Sequence, residues 1–313
     1  MHTSITLIAF MQLLAPNTTN GLVSYPTLGY MLSARHLMRL AGIPGASYAS
    51  PDSSSPAEYT QLRSASCARA ILLATVSDSP TLLLRTPLAE TTVSLADAPV
   101  DTAISPTGAY FAALFSSHLS LYRRSGAAAI ASIDARTLPA PVDSISALLV
   151  GDDGDVVLNT NSALWYSADP THRDPAFIMV PASLTFVRFA PRDHLLLAYD
   201  ADKGRVVALH PTSGFAIEPL ITAQDNLTGV TGLEFAADNL SIWVTQQAGD
   251  LLNYNLAHRF LTLYAVPPGS IASVTAPGVF SWSQPNQSIA ILDTTRTPPA
   301  VLVVPIQAAD AAK

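Results

Sequence analysis

The densest group of residues able to do chemistry is Gly151-Asp-Asp-Gly-Asp155, where Asp152, Asp153 and Asp155 put three carboxylates within four positions. Carboxylate oxygens so closely spaced are the hard ligands that calcium takes, although the pattern does not follow the twelve-residue EF-hand loop. Asp-Gly between two apolar runs is also a hairpin signal, so a turn is the expectation here, with Asp152, Asp153 and Asp155 kept as metal candidates to inspect. Asp200-Ala-Asp-Lys-Gly204 reads likewise as the turn joining two inner strands. One further carboxylate stands apart. Glutamate occurs only at positions 58, 90, 218 and 234, and Glu234 sits in Gly-Leu-Glu-Phe-Ala, within an apolar run. An acid there either lines a channel or joins a site assembled from separate elements, because lone charges are rarely buried without a partner.

Other chemistry is thinly represented. His172 lies in Asp169-Pro-Thr-His-Arg-Asp174-Pro, where two prolines mark a surface loop, and His118, His194, His210 and His258 are isolated near turns or strand ends. The chain has no Gly-x-Ser-x-Gly elbow, His-Glu-x-x-His, Cys-x-x-Cys or Gly-x-Gly-x-x-Gly, the commonest signatures of hydrolases, zinc sites and nucleotide sites. Cys67 is the sole cysteine, so no intramolecular disulfide forms, and its apolar surroundings suit a small core residue. No catalytic residue and no cofactor is expected on these grounds.

Composition narrows the partners. Of 313 residues 49% are apolar and only 12% charged, against roughly 25% charged in an ordinary globular domain, which calls for much buried strand and excludes a disordered chain. The formal charge is −7, and Lys203 and Lys313 are the only lysines. Nucleic acid is therefore not an expected partner, since phosphate neutralisation needs clustered basic residues. The apolar stretch Ile5–Ala15 is too short to span a bilayer. It has the length of a signal-peptide core but no basic residue ahead of it. Residues 1–20 are read as a leader or signal peptide, which gives a secreted or periplasmic protein if cleaved and a cytoplasmic one otherwise. No other run reaches spanning length.

Chemistry of this kind would have to be positioned by strands. From about residue 57 to 306 short apolar runs alternate with clusters of Pro, Asp, Asn and Ser, and no long segment has a 3.6-residue period. One unit recurs: a strand ending in a small residue, a turn, then a strand of large apolar residues. It is seen at Ile104-Ser-Pro-Thr-Gly-Ala-Tyr-Phe-Ala-Ala-Leu, Phe189-Ala-Pro-Arg-Asp-His-Leu-Leu-Leu-Ala-Tyr, Phe235-Ala-Ala-Asp-Asn-Leu-Ser-Ile-Trp-Val and Trp282-Ser-Gln-Pro-Asn-Gln-Ser-Ile-Ala-Ile-Leu, and more faintly from Val150. The anchors Ile104, Val150, Phe189, Phe235 and Trp282 are 46, 39, 46 and 47 residues apart. That period approaches the roughly 40–45 residues of a four-stranded propeller blade. Two further strands per unit, such as Gly204-Arg-Val-Val-Ala-Leu-His and Phe215-Ala-Ile-Glu-Pro-Leu-Ile, complete the count. A blade cannot bury both faces alone, so such units must stack around an axis.

The strand–Ser/Ala-Pro-x-Gly/Asn/Asp–strand unit, best kept from Ile104 to Leu114 and from Val187 to Tyr199, resembles the Ser-Pro-Asp-Gly repeat of WD40-like and TolB-like β-propellers. The resemblance implies an all-β fold of six blades, or seven if residues 21–50 add more than closure, each a four-stranded antiparallel sheet. The Gly-His and Trp-Asp dipeptides of true WD40 repeats are absent, so their hydrogen-bond network is not carried over. Blades are expected near 57–97, 100–137, 142–182, 184–222, 229–267 and 270–306. Residues 28–40 are expected to fasten the N-terminus onto a three-stranded last blade, with a short amphipathic helix over 31–40 as the competing reading. The domain runs from 21 to 306, closed by N- and C-terminal strands, with 307–313 a disordered tail.

Functionally, the expectation is a non-enzymatic propeller presenting loops to another protein, as rigid repeat scaffolds do. Two rivals stand beside it. One is a lactonase- or hydrolase-like enzyme with a small-molecule site at the channel mouth, built from Glu234 and Asn or Asp of other blades. The other is a glycan-binding propeller using exposed members of Trp165, Trp243, Trp282, Tyr166, Tyr199, Tyr254 and Tyr264.

Overall fold

The computed structural model describes residues 18–19, 22–23, 27–33, 35–43, 46–52, 57–65, 71–191, 194–236, 240–265, 273–276, 279–283, 289–293 and 300–304. The leader stretch Ile5–Ala15, Cys67 and the tail 307–313 lie outside them. Among the described residues the helical pieces are single 3₁₀ turns, and everything else regular is antiparallel strand. No helix among them is long and apolar enough to cross a membrane.

Six four-stranded sheets stand at the expected places and form a β-propeller. Blade 1 runs from Tyr59–Ser64 out to Glu90–Ser94, blade 2 from Asp101–Ile104 to Ala129–Asp134, and blade 3 from Ile145–Val150 to Ile178–Val180. Blade 4 runs from Leu184–Phe189 to Ala216–Ile221, blade 5 from Val230–Phe235 to Phe260–Ala265, and blade 6 from Ser273–Ala276 to Ala300–Val304. In each, strand order in space follows chain order, so the first-named strand is innermost. Inner strands of successive blades touch one another around the axis.

Between blade 6 and blade 1 lies a three-stranded sheet of Thr27–Ser33, His36–Ile43 and Ala46–Pro51, whose first strand contacts the inner strands of both neighbours. With three strands it closes the ring of six four-stranded blades and does not make a seventh blade of the same kind. These residues do not donate a strand to blade 6, which has four of its own, and no helix forms over 31–40. The segment pairs Met31 with Met38 and Leu32 with Leu37 across a tight hairpin. Leu37 packs toward blade 1 while Met38 and Leu40 pack toward blade 6, so apolar residues occupy both faces, whereas an amphipathic surface helix would bury only one.

Burial explains the sequence texture. Second strands are packed on both faces, so Tyr110–Leu114 and Val156–Thr160 are buried along almost their whole length and read as continuous apolar runs. Outermost strands face solvent, and Glu90–Ser94 buries only Val93. The core is divided into clusters, each lying between two neighbours. One packs Leu73, Leu84 and Val93 of blade 1 against Phe111 and Tyr122 of blade 2. Others join blades 2 and 3, 3 and 4, and 4 and 5. The closing sheet packs Leu37 against Leu72 of blade 1 and Leu40 against Ile291 of blade 6.

One repeat anchor is corrected. Ile104, Val150, Phe189 and Phe235 end inner strands, whereas Trp282 lies in Val279–Ser283, the second strand of blade 6. Both hairpins of a blade join a small residue, a polar turn and an apolar strand, so the local pattern does not distinguish them.

Candidate functional site

Inner strands of the closing sheet and of blades 1 to 5 line an axial cavity of about 1290 Å³. Its wall carries hydroxyl and amide groups of Thr60, Gln61, Ser146, Asn161 and Thr185 among aliphatic side chains. The charged groups on this wall are matched across blade boundaries. Arg63 Nη2 of blade 1 donates to Asp101 Oδ1 of blade 2 at 2.8 Å, and Asp101 Oδ2 accepts from the Leu148 amide of blade 3 at 3.0 Å. One carboxylate thus ties three blades together. Arg188 Nε of blade 4 donates to Glu234 Oε2 of blade 5 at 3.1 Å, while Glu234 Oε1 faces the Phe235 amide at 3.2 Å. Glu234 stands on an inner strand beside the cavity, and its partner is an arginine rather than the acids of the Gly151–Asp155 turn.

The acidic turn lies on the face where the first hairpin of each blade turns over, and its carboxylates reach in two directions. Asp152 Oδ1 accepts from the Thr107 amide and hydroxyl of blade 2 at 2.9 and 2.6 Å. Asp153 Oδ2 lies 3.1 Å from His194 Nε2 of blade 4. Asp155 is almost fully buried, and its Oδ2 lies 3.6 Å from His194 Nδ1, an electrostatic contact beyond hydrogen-bond reach. Burial raises the Asp155 carboxyl above its ordinary range, opposed by His194 and by the Tyr166 hydroxyl. Burial and the neighbouring Asp155 in turn push the Tyr166 hydroxyl up.

The backbone is fitted to this arrangement. A Cβ at Gly151 would stand 2.0 Å from Asp155 Oδ1, and Gly154 has φ +87°, a conformation glycine adopts without steric cost. Among the described residues no group of three His, Cys, Asp or Glu has the geometry to hold a metal ion. The arrangement supports a polar clasp linking three consecutive blades.

The remaining candidates are placed as follows. Asp200 is buried and accepts from Arg205 Nε at 3.1 Å, closing the turn between the second and third strands of blade 4. His172 is exposed in a loop organised by the Asp169 side chain. Trp243, Tyr166 and Tyr254 are buried and Tyr199 and Tyr264 half-buried, so they do not form an exposed stacking face. The side chain of Trp282 lies outside the described residues. Sequence reasoning did not single out Arg63, Asp101, Arg188 or the role of His194. A signal did exist, because Arg63 and Asp101 are 38 residues apart and Arg188 and Glu234 46, close to one blade period.

On the opposite face, where blades are joined to one another, the connection 135–144 between blades 2 and 3 is built rigidly. Asp134 Oδ1 accepts from the Arg136 amide at 2.8 Å, and Leu138-Pro-Ala-Pro141 leads into a second 3₁₀ turn over Val142–Ser144. This segment separates two hollows. One, of about 450 Å³, is lined by Pro139, Pro141, Trp165 and Met179 together with the polar groups of Asp143, Thr160 and Asn161. The other, of about 510 Å³, is lined by Val100, Ser116, Ala135, Arg136, Val142 and again Asp143. Each shares wall residues with the axial cavity, Ile145 and Ser146 on one side and Val100 on the other. The two hollows and the cavity mouth therefore form one continuous surface.

No protein-family model matches the chain, and no curated protein matches it in sequence. Solved structures do match in fold. Hsv2 from Kluyveromyces lactis aligns at 11% identity and TM-score 0.56 over 90% of this chain and 98% of that one. The β-propeller domain of Cps50 (Swd1) from Myceliophteria thermophila aligns at 12% identity and TM-score 0.56 over 79% and 86%. Virginiamycin B lyase from Staphylococcus aureus aligns at 11% identity and TM-score 0.52 over 79% and 89%. At such identities the likeness concerns fold alone, and the fold shown is the β-propeller that the repeat led us to expect.

Proposed function

We propose that this chain is a non-enzymatic β-propeller that presents loops to a protein partner, with its recognition surface on the connection face over blades 2 and 3. The observation that carries the reading is the connection 135–144, held by its own side-chain cap, standing between two hollows of mixed polar and apolar lining at the cavity mouth. Binding residues concentrate on loops held by a rigid scaffold, and this is the longest connection between described blades. The paired cavity acids support the same view. A general base or metal ligand needs a carboxylate oxygen directed at the reacting group, and those of Asp101 and Glu234 are taken up by arginines and amides. Swd1 and Hsv2 share the scaffold, and so does a lyase, so fold likeness does not choose between binding and catalysis.

The test uses the full chain with its natural partner, captured by crosslinking and identified by mass spectrometry. Crosslinks on residues 135–144 and around Trp165 and Met179 are expected. A stoichiometric bound metal in the purified protein, or turnover of a lactone or ester that is lost in Glu234→Gln, would overturn the reading in favour of a channel-mouth enzyme.

A further inference from the structure

We infer that the axial cavity holds a neutral polyhydroxylated ligand of mono- or disaccharide size, gripped by a collar of inner-strand hydroxyls and one aromatic residue, Phe186. The inference goes beyond the protein-binding reading and does not rest on it.

The first observation is a repeated position. Four residues before the end of the inner strand stand Thr60 in blade 1, Ser146 in blade 3, Thr185 in blade 4 and Thr231 in blade 5. Thr60, Ser146 and Thr231 are left out of the ladder where its register shifts, a bulge of the kind that re-aims a side chain beside a functional site. Thr60, Ser146 and Thr185 are exposed and line the cavity. The Ser146 hydroxyl donates to the Asn159 carbonyl at 3.1 Å, which leaves it an acceptor toward a ligand.

The second observation is a break in that pattern. In blade 4 the ladder passes over Phe186 and Val187 between Thr185 and Arg188, and Phe186 has φ +52°, a conformation strained for a bulky side chain. Phe186 packs against the core between blades 4 and 5 and also lines the cavity. Strain of this sort persists only where the surroundings impose it, and it gathers at ligand sites. Here it sets an aromatic residue next to the Thr185 hydroxyl.

The third is charge balance. Three residues beyond the collar positions come Arg63, Arg188 and Glu234, and both arginines are matched, Arg63 by Asp101 and Arg188 by Glu234. An ionic ligand would therefore meet no spare counter-charge among these groups, and an unpaired ion is costly to enclose. Hydrogen-bonding capacity is nonetheless left over. Arg188 Nε and Nη1 donate to Glu234 and to the Val187 carbonyl, while Nη2 has no partner among the described residues. Donors and acceptors on a charge-balanced wall suit a group that both donates and accepts, which is the hydroxyl. A pyranose adds a face of C–H groups that an aromatic ring can cover. At about 1290 Å³ the cavity exceeds the roughly 300–1,000 Å³ of ordinary ligand pockets, so a disaccharide can enter together with water.

The experiment is calorimetric and saturation-transfer NMR titration of the full chain with glucose, galactose, mannose, maltose, trehalose and myo-inositol, and with glucuronate and glucosamine as charged counterparts. At least one neutral probe is expected to bind stoichiometrically and more tightly than both charged sugars. Thr185→Val, at an exposed site, should weaken that probe about two- to tenfold, and Phe186→Gly about tenfold. Asp143→Asn, on the connection face and outside the cavity wall, should bind it as the parent does. Phe186→Gly relieves the strained φ but removes core contacts, so Thr185→Val, with its urea midpoint unchanged, is the deciding variant. A panel without a binder, a charged sugar bound more tightly than every neutral probe, or an affinity unchanged in Thr185→Val overturns the inference. None of these outcomes bears on the protein-binding reading, which the crosslinked natural partner decides separately.

Discussion

Asp155 is the residue whose environment is most at odds with its charge. It is 1% exposed, and burial raises its carboxyl above the ordinary value of 3.8 despite His194 and the Tyr166 hydroxyl beside it. A folded state that holds this proton more tightly than the unfolded chain binds more protons in the window between 3.8 and the raised value. Stability from this group is therefore greatest below that window and falls as pH rises through it. Asp155→Asn keeps the shape and an acceptor for Tyr166 but does not titrate. Urea midpoints of the two proteins, compared from about pH 3 to pH 7, should diverge in favour of the asparagine form as pH rises. Parallel pH profiles would show that the charge of Asp155 is not under this strain. The turn itself was legible in the sequence, because Asp-Gly between apolar runs forces a hairpin. Its reach to Thr107 and His194 was not, since those contacts join residues about one blade apart and depend on how the blades stack.

At the scale of elements, the polar contacts that matter join one sheet to the next. Arg85, in the third strand of blade 1, is buried and pairs with Asp52 at the end of the closing sheet. Its Nε and Nη2 also donate to Glu90 of its own blade at 3.0 and 2.9 Å, and its guanidinium lies over the Tyr30 ring of the closing sheet, 5.6 Å from the centroid. Asp52 and Arg85 side chains are each 10% exposed, so removing one leaves the other charge poorly solvated. Arg85→Ala is expected to cost about 3–5 kcal/mol, seen as a lowered urea midpoint. Asp52→Asn combined with Arg85→Met should recover part of that loss, because no buried charge then remains between the two sheets and Glu90, whose side chain is 45% exposed, keeps its carboxylate in water. A full loss in the double variant would mean that packing by the Arg85 stem, not charge pairing, holds the two sheets together. Six blades could be read in advance from the turn spacing. The closing sheet was harder to read, since its hairpin at Ser33–His36 lacks the Ser-Pro-x-Gly unit and its three strands carry no repeat of their own.

The whole molecule differs from an open repeat array because its two ends meet. In an open array each unit contacts only its neighbours, and a defect at one end need not reach the other. Here Leu37 of the closing sheet, 1% exposed, packs against Leu72 of blade 1, while Leu40 and Met38 pack against Ile291 of blade 6. Trp165, Trp243 and Trp282 stand in blades 3, 5 and 6, outside the closing sheet. Leu37→Ala should cost about 2–5 kcal/mol by leaving a cavity. In a closed ring that unfolds as one unit, it lowers the midpoint seen by tryptophan fluorescence as much as the midpoint seen by far-ultraviolet circular dichroism. Leu197→Ala in blade 4, at a fully buried site, should behave in the same way on both probes. If Leu37→Ala instead produced an early loss of dichroism while the fluorescence midpoint stayed in place, the closing sheet would be a separable appendage. The loops over blades 2 and 3 would then owe their rigidity to local packing alone. Coincident transitions mean that the recognition surface is held by the entire ring, and that a defect at the seam weakens binding without touching a single residue of the surface.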